Sequence, residues 1–308
     1  MKRAIHGAIA ASLAVLSVLG TAVIAGAQAP AARGSMVVTT EWVAQHLKDR
    51  DLVLLHVGEK KDYDAAHLPG AQFLPRESFG IRDSDSNLTL QLPPVPALVE
   101  RLGALGVSDT SRVVLYFGTD WVTPTARAYV TFDYLGLGDR TSIMDGGLPA
   151  WQAEHRPVTA DVVPPRAGRF TPRPRSDVIV NLAQVRDHLR APGTIIVDSR
   201  TPEFFSGEKP GSMPRAGRIP GARNIPFSSL VTDGNKLKDA ASLRAIFGEQ
   251  GAAGGKSLIT YCHIGQQASL DYFVAKYLGF RVRLYDGSFE EWSRHAELPV
   301  ETGKESRD

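Results

Sequence analysis

The chain carries one long pattern twice, and that duplication constrains its fold more than any single motif. Six landmarks recur in the same order in the two halves. The first half opens Val37-Val-Thr-Thr-Glu-Trp42-Val-Ala-Gln-His-Leu47, which predicts a helix capped by Thr39 or Thr40, followed by the strand Asp51–Val57. The second opens Val178-Ile-Val-Asn181-Leu-Ala-Gln-Val-Arg-Asp-His-Leu189, with Asn181 as cap, followed by the strand Thr194–Asp198. Leu68-Pro-Gly-Ala71 then matches Ile219-Pro-Gly-Ala222, each a turn signal before a short apolar segment. Val113–Phe117 matches Leu258–Cys262, Tyr134-Leu-Gly-Leu137 matches Tyr277-Leu-Gly-Phe280, and Asp145-Gly-Gly…Trp151 matches Asp286-Gly-Ser…Trp292. A period this long marks duplicated domains and not solenoid units. The Pro- and Arg-rich stretch Pro157–Ser176 suits an extended connection. The expected limits are a first domain at 36–158, a linker at 159–175 and a second domain at 176–302. In each half, short apolar strands alternate with helical patterns. That predicts an α/β fold of two domains, each a parallel sheet with helices on both faces. Working sites in such sheets lie at the carboxyl ends of the strands.

The single cysteine, Cys262, stands at such an end. The β-branched run Leu258-Ile-Thr-Tyr leads into it, and the short loop Cys262-His263-Ile264-Gly265-Gln266-Gln267-Ala268 follows. Leu270, Phe273, Val274, Tyr277 and Leu278 then recur at helical spacing. A thiol between a strand end and a helix start meets converging backbone N–H groups and the positive end of the helix dipole. Both favour thiolate over thiol, so a reactive cysteine is expected here and not a buried hydrophobe.

The amino terminus adds a compartment. Met1-Lys2-Arg3 is cationic, Ala8–Ala25 is almost wholly apolar, and Ala25-Gly26-Ala27 has the small-x-small form of a cleavage site. Residues 1–27 are therefore expected to be a signal peptide and the protein to be exported, to the periplasm in a cell that has one. The apolar run is also long enough to serve as an uncleaved anchor, but the alanine-rich exit favours cleavage and no stable membrane insertion afterwards. A lone cysteine cannot close an intramolecular disulfide, so export would carry a free thiol into an oxidising compartment, a liability unless the thiol is used. Removing the leader takes Lys2 and Arg3 and no acids, leaving 33 basic against 33 acidic residues, which provides no nucleic-acid footprint. One cysteine and scattered histidines make no metal-ligand cluster, and no cofactor motif is present.

Together these landmarks resemble the rhodanese family of sulfurtransferases in its two-domain form. The family's Asp-x-Arg strand end, Glu-aromatic pair and Gly-His-Ile-Pro-Gly-Ala segment stand here as Asp198-Ser-Arg200, Glu203-Phe204 and Gly217-Arg218-Ile-Pro-Gly-Ala222. Its Gly-Gly-x-x-x-Trp signature stands as Gly146-Gly147…Trp151 and Gly287-Ser288…Trp292, and its active-site loop as Cys262–Gln267. The likeness runs from about residue 36 to 302. It implies a sulfurtransferase in which Cys262 takes a sulfane sulfur from a donor such as thiosulfate and passes it to cyanide or a thiol. The backbone N–H groups of His263–Ala268 would steady the charged sulfur, and Asp198 with Arg200 would form an ion pair beneath the loop or a plain stabilising salt bridge. The first domain is expected to be silent. His56-Val-Gly58 replaces Asp-x-Arg, and the cysteine position falls on Phe117 when aligned from the strand or near Thr119 when aligned from the helix.

The loop matches neither the cationic pattern of thiosulfate-preferring members nor the Cys-Gly-x-Gly-x-Thr pattern of mercaptopyruvate-preferring ones. His263, Gln267, Arg215 and Arg218 are the candidates to meet an anionic donor, with His263 partly cationic near neutrality. Arg218 stands where the family usually has histidine. The phosphatases that share this architecture need Cys-x5-Arg, and Ala268 occupies that arginine's place. Gly254-Gly-Lys256-Ser257 matches only part of a P-loop and precedes a strand instead of following one. 3-Mercaptopyruvate as donor, and a non-enzymatic persulfide carrier, remain as alternatives.

Overall fold

The structure, a computed structural model, describes residues 1, 34–119, 122–189, 191–252 and 255–303. The segment expected to be a signal peptide, residues 1–27, lies outside these apart from Met1. The first domain consists of β1 (Val37–Val38), α1 (Thr40–His46), β2 (Leu52–Gly58), α2 (Lys60–Ala65), β3 (Gln72–Pro75), α3 (Val95–Ala104), β4 (Arg112–Phe117), α4 (Val122–Tyr134), β5 (Thr141–Met144) and α5 (Gly147–Ala153). The second repeats the order with β6 (Ile179–Val180), α6 (Leu182–His188), β7 (Thr194–Asp198), α7 (Pro202–Ser206), β8 (Arg223–Asn224), α8 (Ala240–Glu249), β9 (Ser257–Tyr261), α9 (Gln266–Tyr277), β10 (Arg281–Tyr285) and α10 (Ser288–Arg294). Both sheets are wholly parallel, ordered β1-β5-β4-β2-β3 and β6-β10-β9-β7-β8. The inner strands are covered on both faces, so β4 and β9 are buried continuously after their first residue and do not alternate. The short edge strands β1 and β6 lie just ahead of the expected caps; the helices begin after Thr39 and Asn181, whose side chains accept Trp42 N–H and Gln184 N–H.

The repeated landmarks are the same fastenings made twice. Tyr116 Oη accepts Leu68 N–H at 3.1 Å, and Tyr261 Oη accepts Ile219 N–H at 3.1 Å. Trp151 Nε1 donates to the Pro157 carbonyl at 2.8 Å and Trp292 Nε1 to the Pro299 carbonyl at 2.9 Å. Each buried aromatic thus places its apolar body in the core while its polar tip satisfies a backbone group.

The domains meet along α4 and α9. The expected one-sided apolar face of α9 is instead a helix buried from Ala268 to Lys276, because one side packs on its own sheet and the other on α4. Tyr129 and Phe273 cross edge to face at 4.7 Å, and burying such a ring contributes about 1.5–3 kcal/mol. The wholly buried Asp133 carboxylate accepts Tyr272 Oη at 2.5 Å, Arg175 Nη1 at 3.0 Å and Lys276 Nζ. Two arms also cross the interface in opposite directions. Leu92 N–H donates to Asp286 Oδ2 at 2.9 Å, and Leu237 N–H to Asp145 Oδ1 at 2.9 Å. The connection after Pro157 is extended but not detached. It lies along the first domain through Thr159 to His67, Gly168 to Gly103, Arg173 to Leu135 and Arg175 to Tyr134, with Phe170 buried.

Asp133→Asn takes the carboxylate from Lys276 and Tyr272 inside the interface and is expected to cost about 3–5 kcal/mol in urea unfolding. Arg175→Ala removes a partly exposed partner and is expected to cost about 1 kcal/mol or less. Equal effects would show that the carboxylate does not anchor the interface.

Candidate active site

β9 ends at Tyr261, and Cys262 follows at the carboxyl edge of the second sheet. The chain turns at Gly265, whose φ of +91° favours glycine, and α9 begins at Gln266. Gly265 N–H donates to Cys262 Sγ at 3.2 Å. Thr260 Oγ1 and Ser269 Oγ hold the loop from below, donating to the Ala268 carbonyl at 3.0 Å and the Gly265 carbonyl at 2.7 Å. From the side, Ser288 Oγ accepts Cys262 N–H at 3.3 Å, while Phe289 N–H and Glu290 N–H donate to the carbonyls of Cys262 and His263. Ser288 keeps a φ of +51°, a strained value for a non-glycine residue. Its hydroxyl also donates to the Tyr285 carbonyl at 2.9 Å. The sequence signal for this support was the Asp-Gly-x-x-x-x-Trp landmark, which marked the segment but not its task.

The thiol is 1 % exposed. Burial pushes its pKa up, and the N–H groups of Ala268, Ile264, Gly265 and Gln267 pull it down by less. The expectation that the loop favours thiolate at rest is therefore corrected: desolvation wins, and the ring of donors gains its weight only once negative charge has formed on sulfur. His263 is corrected too. Burial, then the nearby Arg200 charge, lower its pKa to about 4, and its ring stands edge-on to Phe204 at 4.6 Å. It is neutral at physiological pH. Ile264, Gln266 and Gln267 share the half-buried rim of the loop with His263, while Gly265 and Ala268 are buried. Gln266 Nε2 reaches Thr123 Oγ1 of the first domain at 3.5 Å, and Gln267 Oε1 is buried without a hydrogen-bond partner.

Asp198 and Arg200 form a buried pair, with Nη2 2.5 Å from Oδ2 and Nε 2.9 Å from Oδ1. Arg200 also donates to the Gly217 carbonyl at 2.8 Å and lies 4.3 Å from the centre of the Phe289 ring. The pair stiffens the floor beneath the residues that hold the loop. Arg215 and Arg218 are not brought to the site. Arg215 donates to the carbonyls of Ser293, Trp292, His295 and Leu298 and so closes the end of α10. Arg218 lies over Phe205 and bonds the Gly303 carbonyl and Glu301. Each finds its partners some 80 residues away in sequence, which no local pattern announces. Among the described residues no group of three or more His, Cys, Asp or Glu side chains is clustered to hold a metal. No described helix is long and apolar enough to cross a membrane.

The first domain presents the same frame without a cysteine. His56 pairs in register with Tyr116 as Asp198 does with Tyr261, so Phe117 is the counterpart of Cys262, and the loop between it and the next helix is one residue longer than that after Cys262. Thr119, in that longer loop, donates to Asp62 at 2.6 Å. His56 is fully buried between Tyr63 and Tyr116, and burial lowers its pKa to about 4. Gly147, the counterpart of Ser288, has no hydroxyl; a Cβ there would lie 2.7 Å from the Phe117 ring.

The Rhodanese-like domain family matches this chain twice, at residues 39–154 and 181–295. The chain belongs to the rhodanese family. A Thermus thermophilus relative named "Sulfur carrier protein TtuD" is 32% identical, over 89% of this chain and 99% of its own. A Haloferax volcanii relative named "Putative thiosulfate sulfurtransferase" is 34% identical, over 87% of this chain and 96% of its own. The fold also matches that of EanB, solved in complex with ergothioneine, with a TM-score of 0.78 at 23% identity over 88% of this chain and 71% of that one. At that identity the likeness concerns the fold alone. This tandem rhodanese protein thus has one domain that holds the chain's single cysteine and one that lacks a cysteine.

Proposed function

We propose that this protein is a sulfurtransferase that carries sulfane sulfur as a persulfide on Cys262, with thiosulfate as donor and cyanide or a thiol as acceptor. The observation that carries the proposal is Cys262 Sγ set against the Gly265 N–H at the mouth of α9, with further backbone donors around it. Once the thiol has lost its proton to solvent, the thiolate attacks the outer sulfur of thiosulfate. The donor's S–S bond breaks, sulfite leaves with the electron pair, and Cys262 keeps the sulfur as Sγ–S⁻. Cyanide then attacks that terminal sulfur, the Sγ–S bond breaks, and thiocyanate leaves as the thiolate is restored. Two half-reactions of this kind give ping-pong kinetics. The loop's N–H groups serve both anions, because they are fixed before the charge arrives.

A second reading, a carrier that hands its persulfide to a protein, is favoured by the likeness to the Thermus sulfur carrier. The enclosed thiol suits either. 3-Mercaptopyruvate remains the alternative small donor.

Cys262→Ser is expected to leave the fold intact and reduce thiosulfate:cyanide transfer to below a few per cent of wild type, since the chain has no other cysteine. Steady-state assays on the full chain decide this; substantial residual turnover would remove Cys262 from the reaction.

The cations near the loop are committed to Asp198 and Asp286, and His263 is neutral, so a doubly charged donor is expected to bind weakly. Between pH 6 and 8 the Michaelis constant for thiosulfate should not follow a histidine titration, because His263 gains its proton only near pH 4. His263→Arg is expected to lower that constant several-fold, on the order of 1 kcal/mol, with a smaller gain at high salt. An unchanged constant would show that charge at the loop does not select the donor.

A further inference from the structure

The segment that braces the catalytic loop is itself held by the other domain. Ser288, Phe289 and Glu290 bond the backbone of Cys262 and His263. Thr89 of the first domain donates its N–H to Glu290 Oε2 at 2.7 Å and its hydroxyl to Oε1 at 3.1 Å. Gln91 Nε2 donates to the Asp286 carbonyl at 3.3 Å and Leu92 N–H to Asp286 Oδ2 at 2.9 Å. The other oxygen, Asp286 Oδ1, lies 2.6 Å from Arg127 Nη1. Arg127 is fully buried, and it ties the arm to this point by donating to the carbonyls of Leu90 at 2.7 Å and Phe79 at 3.3 Å. Asp286 and Arg127 lie against the turn of the loop. A Cβ on Gly265 would stand 3.3 Å from the Asp286 carbonyl oxygen and 3.5 Å from Arg127 Nη1.

The silent side shows what a plain interdomain fastening looks like. There Asp145 accepts Leu237 N–H just as Asp286 accepts Leu92 N–H, but the cation near it is Lys236 from the arm. Counted back from the two Tyr-Leu-Gly landmarks, the α9 counterpart of Arg127 is Leu270. The arm is fastened on both sides, yet a buried arginine is added only where the turn follows a cysteine and not a phenylalanine.

We infer that Arg127, from the domain without chemistry, is a positioning residue for Cys262: through Asp286 it fixes the turn that points the Gly265 N–H at the sulfur. The inference rests on Cys262 being the reactive nucleophile of the proposed function. A guanidinium is needed because its planar fork reaches Asp286 and the two arm carbonyls together, which an ammonium cannot do. When the clamp is lost, the turn relaxes and the thiolate loses its nearest donor.

The experiment is the pH dependence of Cys262 alkylation by iodoacetamide in the full chain. The thiolate displaces iodide and forms one S–C bond, so the readout needs no sulfur donor. In Arg127→Lys the profile is expected to move to higher pH and the rate at neutral pH to fall about tenfold. Arg127→Met combined with Asp286→Asn removes both charges together and leaves no lone buried ion, so it is expected to fold and to show the same shift. Asp145→Asn, the silent-side control, is expected to alkylate like wild type. A cooperative unfolding transition with a wild-type alkylation profile in either Arg127 variant would overturn the inference and leave the pair a fastening only. Wild-type protein that moves no sulfur from any donor would count against the proposed function, while the alkylation comparison would still decide the role of Arg127.

Discussion

The packing of α4 against α9 is the contact on which the rest of the molecule depends. Each helix follows the central strand of its own sheet, and each is also the surface against which the other domain rests. Covering the same helix twice removes its polar face, so charge inside the interface has to be matched there. Asp133 meets that need at the far end of the pair, with Tyr272, Lys276 and Arg175 converging on one carboxylate. Arg127 and Asp286 do the same near the Cys262 loop. The two domains therefore do not sit side by side as independent units. The one without a cysteine supplies an arm and a buried cation to the one that has it.

At the site, two effects on the same sulfur oppose each other. Enclosure disfavours charge, and the backbone N–H groups favour it. Enclosure outweighs the donors in the resting protein. The donors are already aimed, so the site need not reorganise when sulfur becomes an anion. That division of labour suits a group that must hold a labile persulfide between two encounters better than one tuned for a permanently reactive thiolate.

Much of this was legible in the sequence because the repeat displays its own fastenings. The Tyr in Val-Leu-Tyr-Phe117 and Ile-Thr-Tyr-Cys262 bonds the backbone of the matching Leu-Pro-Gly or Ile-Pro-Gly turn. The closing Trp bonds a carbonyl just beyond its helix. Composition and order alone therefore fixed two α/β domains and the place of Cys262. What stayed hidden depends on burial or on distant backbone. His263 looks like a cation until Phe204 and Arg200 are seen beside it. Arg215 and Arg218 look like anion ligands until the carbonyls of residues 292–303 are found to occupy them. The amphipathic reading of α9 failed because a helix used by two sheets needs no solvent face. Arg127 gave no signal at all, since its partner Asp286 lies in the other repeat.

The central claim is that Cys262 holds sulfur as a persulfide in this loop. Intact-mass measurement of the full chain after brief exposure to thiosulfate and removal of the excess tests it most directly. The account predicts a gain of one sulfur atom, located on the peptide that contains Cys262 and lost on addition of cyanide. A chain of unchanged mass, or added sulfur that cyanide does not remove, would contradict it.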